Sequence, residues 1–298
     1  MKQLLFFFLS LISFSVFGQP ADRPFPTTSA SPEGKISQVI GNTQIQIDYE
    51  RPLARKRQIF GDLVPWNKVW RTGAGRCTRI MFNKPVVVGG QKIAAGHYSL
   101  FTIPNPQRWV IILNSDTSLY GSYGYDAAKD IARFEVTPAT ASRHYEALTI
   151  DVDLVQSNAR IYISWLDTQV GFALQTSTAS EAKKFIEQDL LTGKNKNSDA
   201  YSEAAQFLLF EKENLEQALK LAEKAIQLNK ENGAARRIKI EIYEFLHQYT
   251  EALNEIKLAL EMEKSKRYEK EEVRKLEMNY WQRFHDRIKA KQNLEAGS

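Results

Sequence analysis

The chain has 298 residues, of which 43% are hydrophobic, so it is long enough to form two folded domains. It contains a single cysteine, Cys77, which excludes an internal disulfide. The formal net charge of +5 arises in one segment, residues 51–79, which holds eight basic side chains and one acid, Asp62, while the rest of the chain is nearly balanced.

The first 18 residues have the pattern of a cleaved signal peptide. Met1-Lys2 gives a positive start, residues 4–17 are almost wholly apolar, and Val16 and Gly18 are the small residues expected before a cleavage site. A run of this length is too short to span a bilayer comfortably, and no cysteine follows it that could carry a lipid. We therefore expect an exported protein, periplasmic or secreted, with no transmembrane anchor and with an unstructured leader over residues 19–30.

Residues 31–176 have the pattern of an all-β domain, because short alternating runs are separated by Gly and Pro turn signals. In residues 43–49, for example, Ile45 and Ile47 face one side, and Gly41-Asn42 before them predicts a hairpin turn. About ten short strands without a long helix favour an antiparallel β-sandwich or barrel over a parallel α/β sheet. The predicted strands cover residues 36–40, 43–49, 84–88, 91–93, 97–103, 109–113, 131–136, 148–155, 160–166 and 170–175.

The basic segment also groups tryptophan with arginine. Arg71 lies between Trp70 and Thr72, and Trp66 lies four residues before Trp70. A guanidinium can stack on an indole while it binds a carboxylate through two hydrogen bonds. Two interpretations follow. Either Arg71 clamps the loop internally through an acid or a backbone carbonyl, which is the more common role, or it binds an anionic ligand together with the two tryptophans.

A second candidate site is the segment Tyr120-Gly-Ser-Tyr-Gly-Tyr125. Three tyrosines in a loop hinged by glycines can stack on a carbohydrate, which makes Tyr120, Tyr123 and Tyr125 candidate ligand-binding residues. The alternative is a long crossover that its own aromatic side chains pin to the domain.

Beyond residue 180 the chain is free of proline and rich in Lys, Glu, Ala and Leu, and residues 181–292 predict an all-α repeat domain. Ala218 and Ala225 recur 34 residues later as Ala252 and Ala259. This spacing resembles the tetratricopeptide repeat over about residues 199–266, and a generic array of helical hairpins is the alternative. A last helix should cap the array with a stripe formed by Val273, Leu276, Tyr280, Phe284 and Ile288.

Three sequence blocks carry a family resemblance: Val-Trp-Arg-Thr-Gly-Ala at 69–74, Ala-Gly-His-Tyr-Ser-Leu-Phe-Thr-Ile-Pro at 95–104 and Trp-Val-Ile-Ile-Leu-Asn at 109–114. They resemble the bacterial domain of unknown function 2911, over about residues 31–176. The resemblance implies a secreted β-domain without an assigned activity, sometimes followed by helical repeats. Members of that family continue the first block with Asn and then an acid, whereas Gly75-Arg76-Cys77 follows here.

The sequence has no zinc-protease helix motif, no Gly-x-Ser-x-Gly elbow, no phosphate-binding loop and no dinucleotide fingerprint, and we expect neither a metal nor a cofactor. The expected function is an exported, non-enzymatic binding or scaffold protein. Its β-domain would bind a ligand, such as an anionic glycan or lipid headgroup. Its helical repeats would bind a protein partner. Export makes nucleic acid a poor partner. The alternatives are a hydrolase of an envelope polymer, with a site near Arg71 and Tyr123, and a purely structural β-domain.

The processing of the N-terminus is testable directly. Because a short apolar run ends in small residues before Gln19, the exported chain should begin at Gln19, partly cyclised to pyroglutamate. Mass spectrometry of the N-terminal peptide from exported protein measures this, and recovery of chains that still carry Met1 in membranes would contradict the expected export.

Overall fold

In the computed structural model, which describes residue 27 and residues 29–296, ten strands precede a helical region. The predicted signal peptide lies outside the described residues, as does most of the predicted leader. The strands are β1 (Glu33–Ile40), β2 (Thr43–Glu50), β3 (Thr78–Phe82), β4 (Val86–Val88), β5 (Gln91–Ile93), β6 (Gly96–Ile103), β7 (Trp109–Asn114), β8 (Asp130–Val136), β9 (Ala139–Val155) and β10 (Asn158–Thr176).

The strands form two antiparallel sheets. A six-stranded sheet has the order β1-β2-β3-β6-β7-β8, and a four-stranded sheet has the order β5-β4-β10-β9. Alternation places apolar side chains of each sheet on one face, such as Ile45 and Ile47 on β2 and Ile161 and Ile163 on β10. All four belong to a single hydrophobic cluster to which both sheets contribute. The antiparallel class predicted from the sequence is therefore confirmed.

The number of strands agrees with the prediction, but the strands themselves differ. Two predicted strands, residues 160–166 and 170–175, form the single long strand β10, and β9 begins nine residues before the predicted start at residue 148. Between them the ladder shifts register near Leu166, which has a φ of 53°. Strand β3 was missed, because Arg79 interrupts an apolar pattern that is completed only by pairing with β2 and β6.

The helical region contains α1 (Thr178–Phe185), which continues as one π-helical turn over Ile186–Leu190, and five longer helices. These are α2 (Ser198–Glu211), α3 (Leu215–Leu228), α4 (Gly233–Phe245), α5 (Tyr249–Ser265) and α6 (Glu271–Ala296). An asparagine at the N-cap accepts a backbone N–H at the start of α2, α3 and α4. Among residues 29–296 no helix is both long and apolar enough to cross a membrane.

The 34-residue spacing corresponds to equivalent positions in two helices. Ala218 and Ala225 on α3, and Ala252 and Ala259 on α5, are all buried, which lets neighbouring helices approach closely. The predicted stripe on α6 is only partly correct. Phe284 and Ile288 are buried and Tyr280 packs against the same cluster. Val273 and Leu276 are 41% and 66% exposed, because the first turns of α6 extend past the cluster.

The two halves of the chain have separate hydrophobic clusters but share polar contacts. Asn42, in the β1–β2 turn, donates to Glu181 at 2.6 Å, and Lys84 forms an ion pair with the same carboxylate at 3.2 Å. At the tip of the β9–β10 hairpin, Gln156 Nε2 donates to the Glu211 carbonyl at 2.9 Å, near the C-terminal end of α2. These contacts attach the β1–β2 turn, Lys84 and the tip of the β9–β10 hairpin to the helices. The division into domains at 31–176 and 181–292 stays a prediction.

The cap formed by α6 can be tested with two substitutions on that helix. Ile288→Ala should lower the free energy of unfolding by about 2–5 kcal/mol, because the side chain is fully buried against α4 and α5. Leu294→Ala, at a position that is 74% exposed, is the control and should change it by less than about 0.5 kcal/mol. Urea denaturation followed by circular dichroism measures both, and equal effects would contradict the packing of α6.

Candidate functional site

Trp70 lies in the core of the β-rich half. Its indole stacks on Trp165 of β10 at 5.9 Å and contacts Trp109 of β7 edge-on at 6.3 Å. Its Nε1 donates to the Gly73 carbonyl at 3.1 Å, and only 7% of the residue is exposed. Trp70 was predicted as a ligand-binding residue, but here it fills the interior and anchors the segment that follows it.

The residue after Arg71 adopts a strained backbone conformation. Thr72 is fully buried and has a φ of 55°, which is a genuine outlier for a β-branched side chain. Its hydroxyl donates to Thr102 Oγ1 at 3.1 Å, and its carbonyl accepts from Thr78 Oγ1 at 2.8 Å. Such strain costs on the order of 1–3 kcal/mol and persists only where the surroundings enforce it. The turn at residues 71–78 is therefore held in one conformation.

The structure describes no internal partner for the Arg71 side chain within residues 29–296. Among the described residues its side chain has no ion pair and no hydrogen bond, and its Nε is buried without a partner. No described acid or carbonyl therefore forms the clamp that was the more common interpretation of Arg71. A Cβ placed on Gly121 would lie 3.6 Å from Arg71 Nη1 and 3.1 Å from the Tyr123 ring. Arg71 and Tyr123, which the sequence placed in one candidate site, thus both lie beside Gly121.

Backbone hydrogen bonds join the turn at residues 71–78 to the tyrosine loop at residues 120–125. Gly121 N–H donates to the Gly75 carbonyl at 2.7 Å, and Cys77 N–H donates to the Leu119 carbonyl at 3.1 Å. Gly75 has a φ of 51°, and the Glu50 carboxylate lies against its Cα and accepts the Arg76 N–H at 3.1 Å. A side chain at position 75 would collide with Glu50. Glu50 is a part of this site that the sequence did not single out.

The three tyrosines of the loop have different roles. Tyr125 is half-buried, its hydroxyl bonds to Asp130, and Arg133 donates to it at 2.6 Å. Burial, then the hydrogen bond to Asp130, raises the Tyr125 pKa to about 12. Tyr120 and Tyr123 are 69% and 83% exposed. The loop is therefore pinned by Tyr125, while the rings of Tyr120 and Tyr123 face solvent.

The eight basic side chains of residues 51–79 form no ion pair with any described residue. Three of them donate to backbone carbonyls: Arg51 to Leu148 O at 3.1 Å, Arg57 to Ala54 O at 3.0 Å and Arg55 to Ala30 O at 3.4 Å. Arg76 and Arg79 make no side-chain hydrogen bond among the described residues and border an open cavity of about 380 Å³. Acids also line this cavity: Glu33, Asp48 and Glu50.

Trp66 is not among the residues that border this cavity. Its ring stacks on Phe60 at 5.8 Å and borders a different cavity of about 360 Å³, between the β6–β7 turn and β10. A third cavity of about 700 Å³ lies at the junction of the halves, between the β9–β10 hairpin tip and α2. Leu154 and Phe210, each 55% exposed, contribute apolar surface there. Sequence reasoning missed both cavities, because each joins residues from distant parts of the chain.

Groups that could perform catalysis are dispersed. Cys77 is buried, accepts from Ser99 Oγ at 3.1 Å and lies against the apolar side chains of Phe101 and Ile112. His144 pairs with Asp167 at 3.0 Å at the exposed edge of β9 and β10. In the described part of the chain no group of three or more His, Cys, Asp and Glu side chains could hold a metal ion.

Comparison with known proteins shows that the β-rich half is similar to a described family. Residues 31–174 match the model of a family described as "Protein of unknown function (DUF2911)", in agreement with the resemblance in the three sequence blocks. A search of curated proteins found no match, and neither did a search of solved structures. The family description carries no activity, so the function is argued from the site itself.

Arg71 can be tested by replacing its charge with an apolar side chain. Arg71→Met should leave the free energy of unfolding unchanged or raise it, because a buried unpartnered donor costs about 1–3 kcal/mol and methionine keeps the packing of the stem. Arg51→Met is the control and should lower the free energy by about 1.5–3 kcal/mol, since it removes the bonds to Leu148 O and Thr149 Oγ1. Thermal and urea denaturation measure both. A loss of about 3–5 kcal/mol for Arg71→Met would indicate a buried ion pair instead.

Proposed function

We propose that this is an exported, non-enzymatic binding protein. Its β-rich half would be a sandwich that binds an anionic ligand, and its helices would be tetratricopeptide-like repeats that bind a protein partner. The observation that carries the proposal is the positive charge of residues 51–79, which has no ion-pair partner among the described residues, with Arg71 near the exposed Tyr123. We call the surface formed by Arg71, Arg76, Arg79, Tyr120 and Tyr123 the cationic surface.

Charge and shape together define the ligand class. Unpaired cations attract an anion within about one Debye length, roughly 10 Å at 0.1 M salt. Arg71 and Arg76 belong to a turn held by packing and backbone bonds, so little ordering is needed on binding. Tyr120 and Tyr123 add exposed rings on which a sugar or a headgroup can pack. An acidic glycan and an anionic lipid headgroup share this chemistry.

The contacts around Arg71 favour binding over hydrolysis. A hydrolase needs a nucleophile or water held by a base within hydrogen-bonding distance of the reacting group. Among the described residues, no hydrogen bond joins the Arg71 or Tyr123 side chain to a histidine or a carboxylate. The Cys77 thiol is buried against Phe101 and Ile112. Binding is therefore the function that this geometry supports better.

The role proposed for the helices has separate support. The buried alanines of α3 and α5 recur in register, as stacked helical repeats require. The cavity at the junction borders Phe207 and Phe210 of α2 and Leu154 of the β9–β10 hairpin, so a partner's apolar side chain would contact both halves there. The hairpin contact with Glu211 would keep this cavity in a defined shape.

The proposal predicts that Arg76→Gln/Arg79→Gln weakens anion binding about tenfold or more at low salt, because each charged contact contributes about 1.5–3 kcal/mol. The melting temperature should stay that of the wild type, since neither side chain has a partner among the described residues. Arg108→Gln is the matched control: Arg108 is 67% exposed but pairs with Glu135, and its loss should leave binding unchanged. The probes are polygalacturonate and phosphatidylcholine vesicles with and without phosphatidylglycerol.

The two probes distinguish the two sources of the anion. Binding to polygalacturonate alone indicates an acidic glycan, and binding only to vesicles that contain phosphatidylglycerol indicates a lipid headgroup. In either case the affinity should fall as salt rises, because the contacts are screened. If the double variant and the wild type bind both probes equally, the cationic surface is not the binding site.

A further inference from the structure

We propose that the cavity beside Trp66 is a second binding site, which takes a neutral sugar ring of a polysaccharide. It is distinct from the cationic surface. Asn105, which borders the cavity, precedes β7, and Tyr120 follows that strand. The two sites therefore lie off opposite ends of a six-residue strand, roughly 20 Å long at about 3.3 Å per residue.

The aromatic ring of Trp66 borders the cavity, and other side chains pack against it. The Trp66 ring lies on Phe60 with an interplanar angle of 25°, so one face is covered, and Phe60 is in turn packed edge-on against Trp109 at 5.0 Å. The indole Nε1 lies against the Cα of Gly61, where a side chain would collide with it. This packing holds the indole in one orientation at the cavity, which reduces the entropy lost on binding.

The indole also offers an unused donor. Among the described residues Trp66 Nε1 has no hydrogen-bond partner, and it is not among the buried unpartnered polar atoms. An indole, which combines an apolar ring with an N–H donor, suits a ligand that combines C–H surface with hydroxyl oxygens. A pyranose ring has both, with C–H groups on its faces and hydroxyls around its edge.

The rim supplies acceptors from the irregular part of the β9–β10 ladder. Thr140 of β9 pairs with Thr168 of β10, and the register shifts on either side of Leu166. Bulges of this kind redirect a side chain and are over-represented beside binding sites. Asp167 follows Leu166 in β10, its side chain is 71% exposed, and it borders the cavity. Its Oδ1 contacts His144 at 3.0 Å, which leaves Oδ2 to accept from a ligand hydroxyl.

The charge of the rim selects a neutral ligand. Among the described residues that border the cavity, only Asp167 is charged, and a carboxylate repels an acidic sugar. The cavity volume of about 360 Å³ is within the usual range of small-ligand sites, about 300–1,000 Å³. Carboxylates and threonine hydroxyls are good partners for the hydroxyls of a neutral hexose.

The test uses the mature full-length chain and three neutral hexasaccharides, built from glucose, mannose or N-acetylglucosamine. Titration calorimetry should detect binding of at least one, and tryptophan fluorescence should change on binding. Trp66→Ala should weaken that binding at least about tenfold, which is 1.4 kcal/mol. Asp167→Ala should weaken it about fivefold or more, and because Asp167 is exposed its loss should not disturb folding.

Two controls separate this site from the cationic surface. Tyr123→Ala removes a more exposed aromatic ring elsewhere and should leave hexasaccharide binding unchanged. Arg76→Gln/Arg79→Gln should likewise have no effect on the neutral sugars, whatever it does to the anionic probes. The proposal is overturned if the wild type binds none of the three sugars at millimolar concentration. It is also overturned if Asp167→Ala and a folded Trp66→Ala bind as the wild type does.

Discussion

The packing of Trp70 between the two sheets is the contact on which the rest of the β-rich half depends. Its indole contacts Trp165 of the four-stranded sheet and Trp109 of the six-stranded sheet, so one side chain links both layers of the core. Aromatic pairs of this kind contribute about 0.5–1.5 kcal/mol each beyond the area they bury. The long connection between β2 and β3 is thereby tied to the core, although it contains no strand of its own.

That anchoring explains how a concentrated positive charge is tolerated. Eight cations within 29 residues repel one another, and none is neutralised by an ion pair with a described residue. The segment stays folded because it is held by other means. These are the indole cluster, the backbone bridge between Trp70 and Thr102, and the hydroxyl bonds around Thr72. Packing and these bonds supply the stability, and Arg76 and Arg79 make no side-chain hydrogen bond among the described residues.

Much of the fold followed from local patterns, and the departures occur where pairing is long-range. Alternation in residues 43–49 predicted β2 within one residue, and the alanine spacing predicted equivalent helices α3 and α5. Strand β3 was missed because Arg79 breaks its apolar pattern, and residues 160–175 were divided in two because Asp167 breaks theirs. In both places the ladder partner, rather than the local sequence, maintains the strand.

The sequence by itself determined the class of each half, the location of the unbalanced charge and the residue types that could bind a ligand. Those properties depend on periodicity and composition, which are local. Only the tertiary structure decided which candidates reach solvent. Trp70 is buried whereas Trp66 borders a cavity, and Tyr125 is bonded to Asp130 whereas Tyr123 is 83% exposed. Arg71 Nε is buried without a hydrogen-bond partner among the described residues. The physical reason is that exposure and pairing depend on segments brought together from distant parts of the chain, as Gly121 is brought to Arg71.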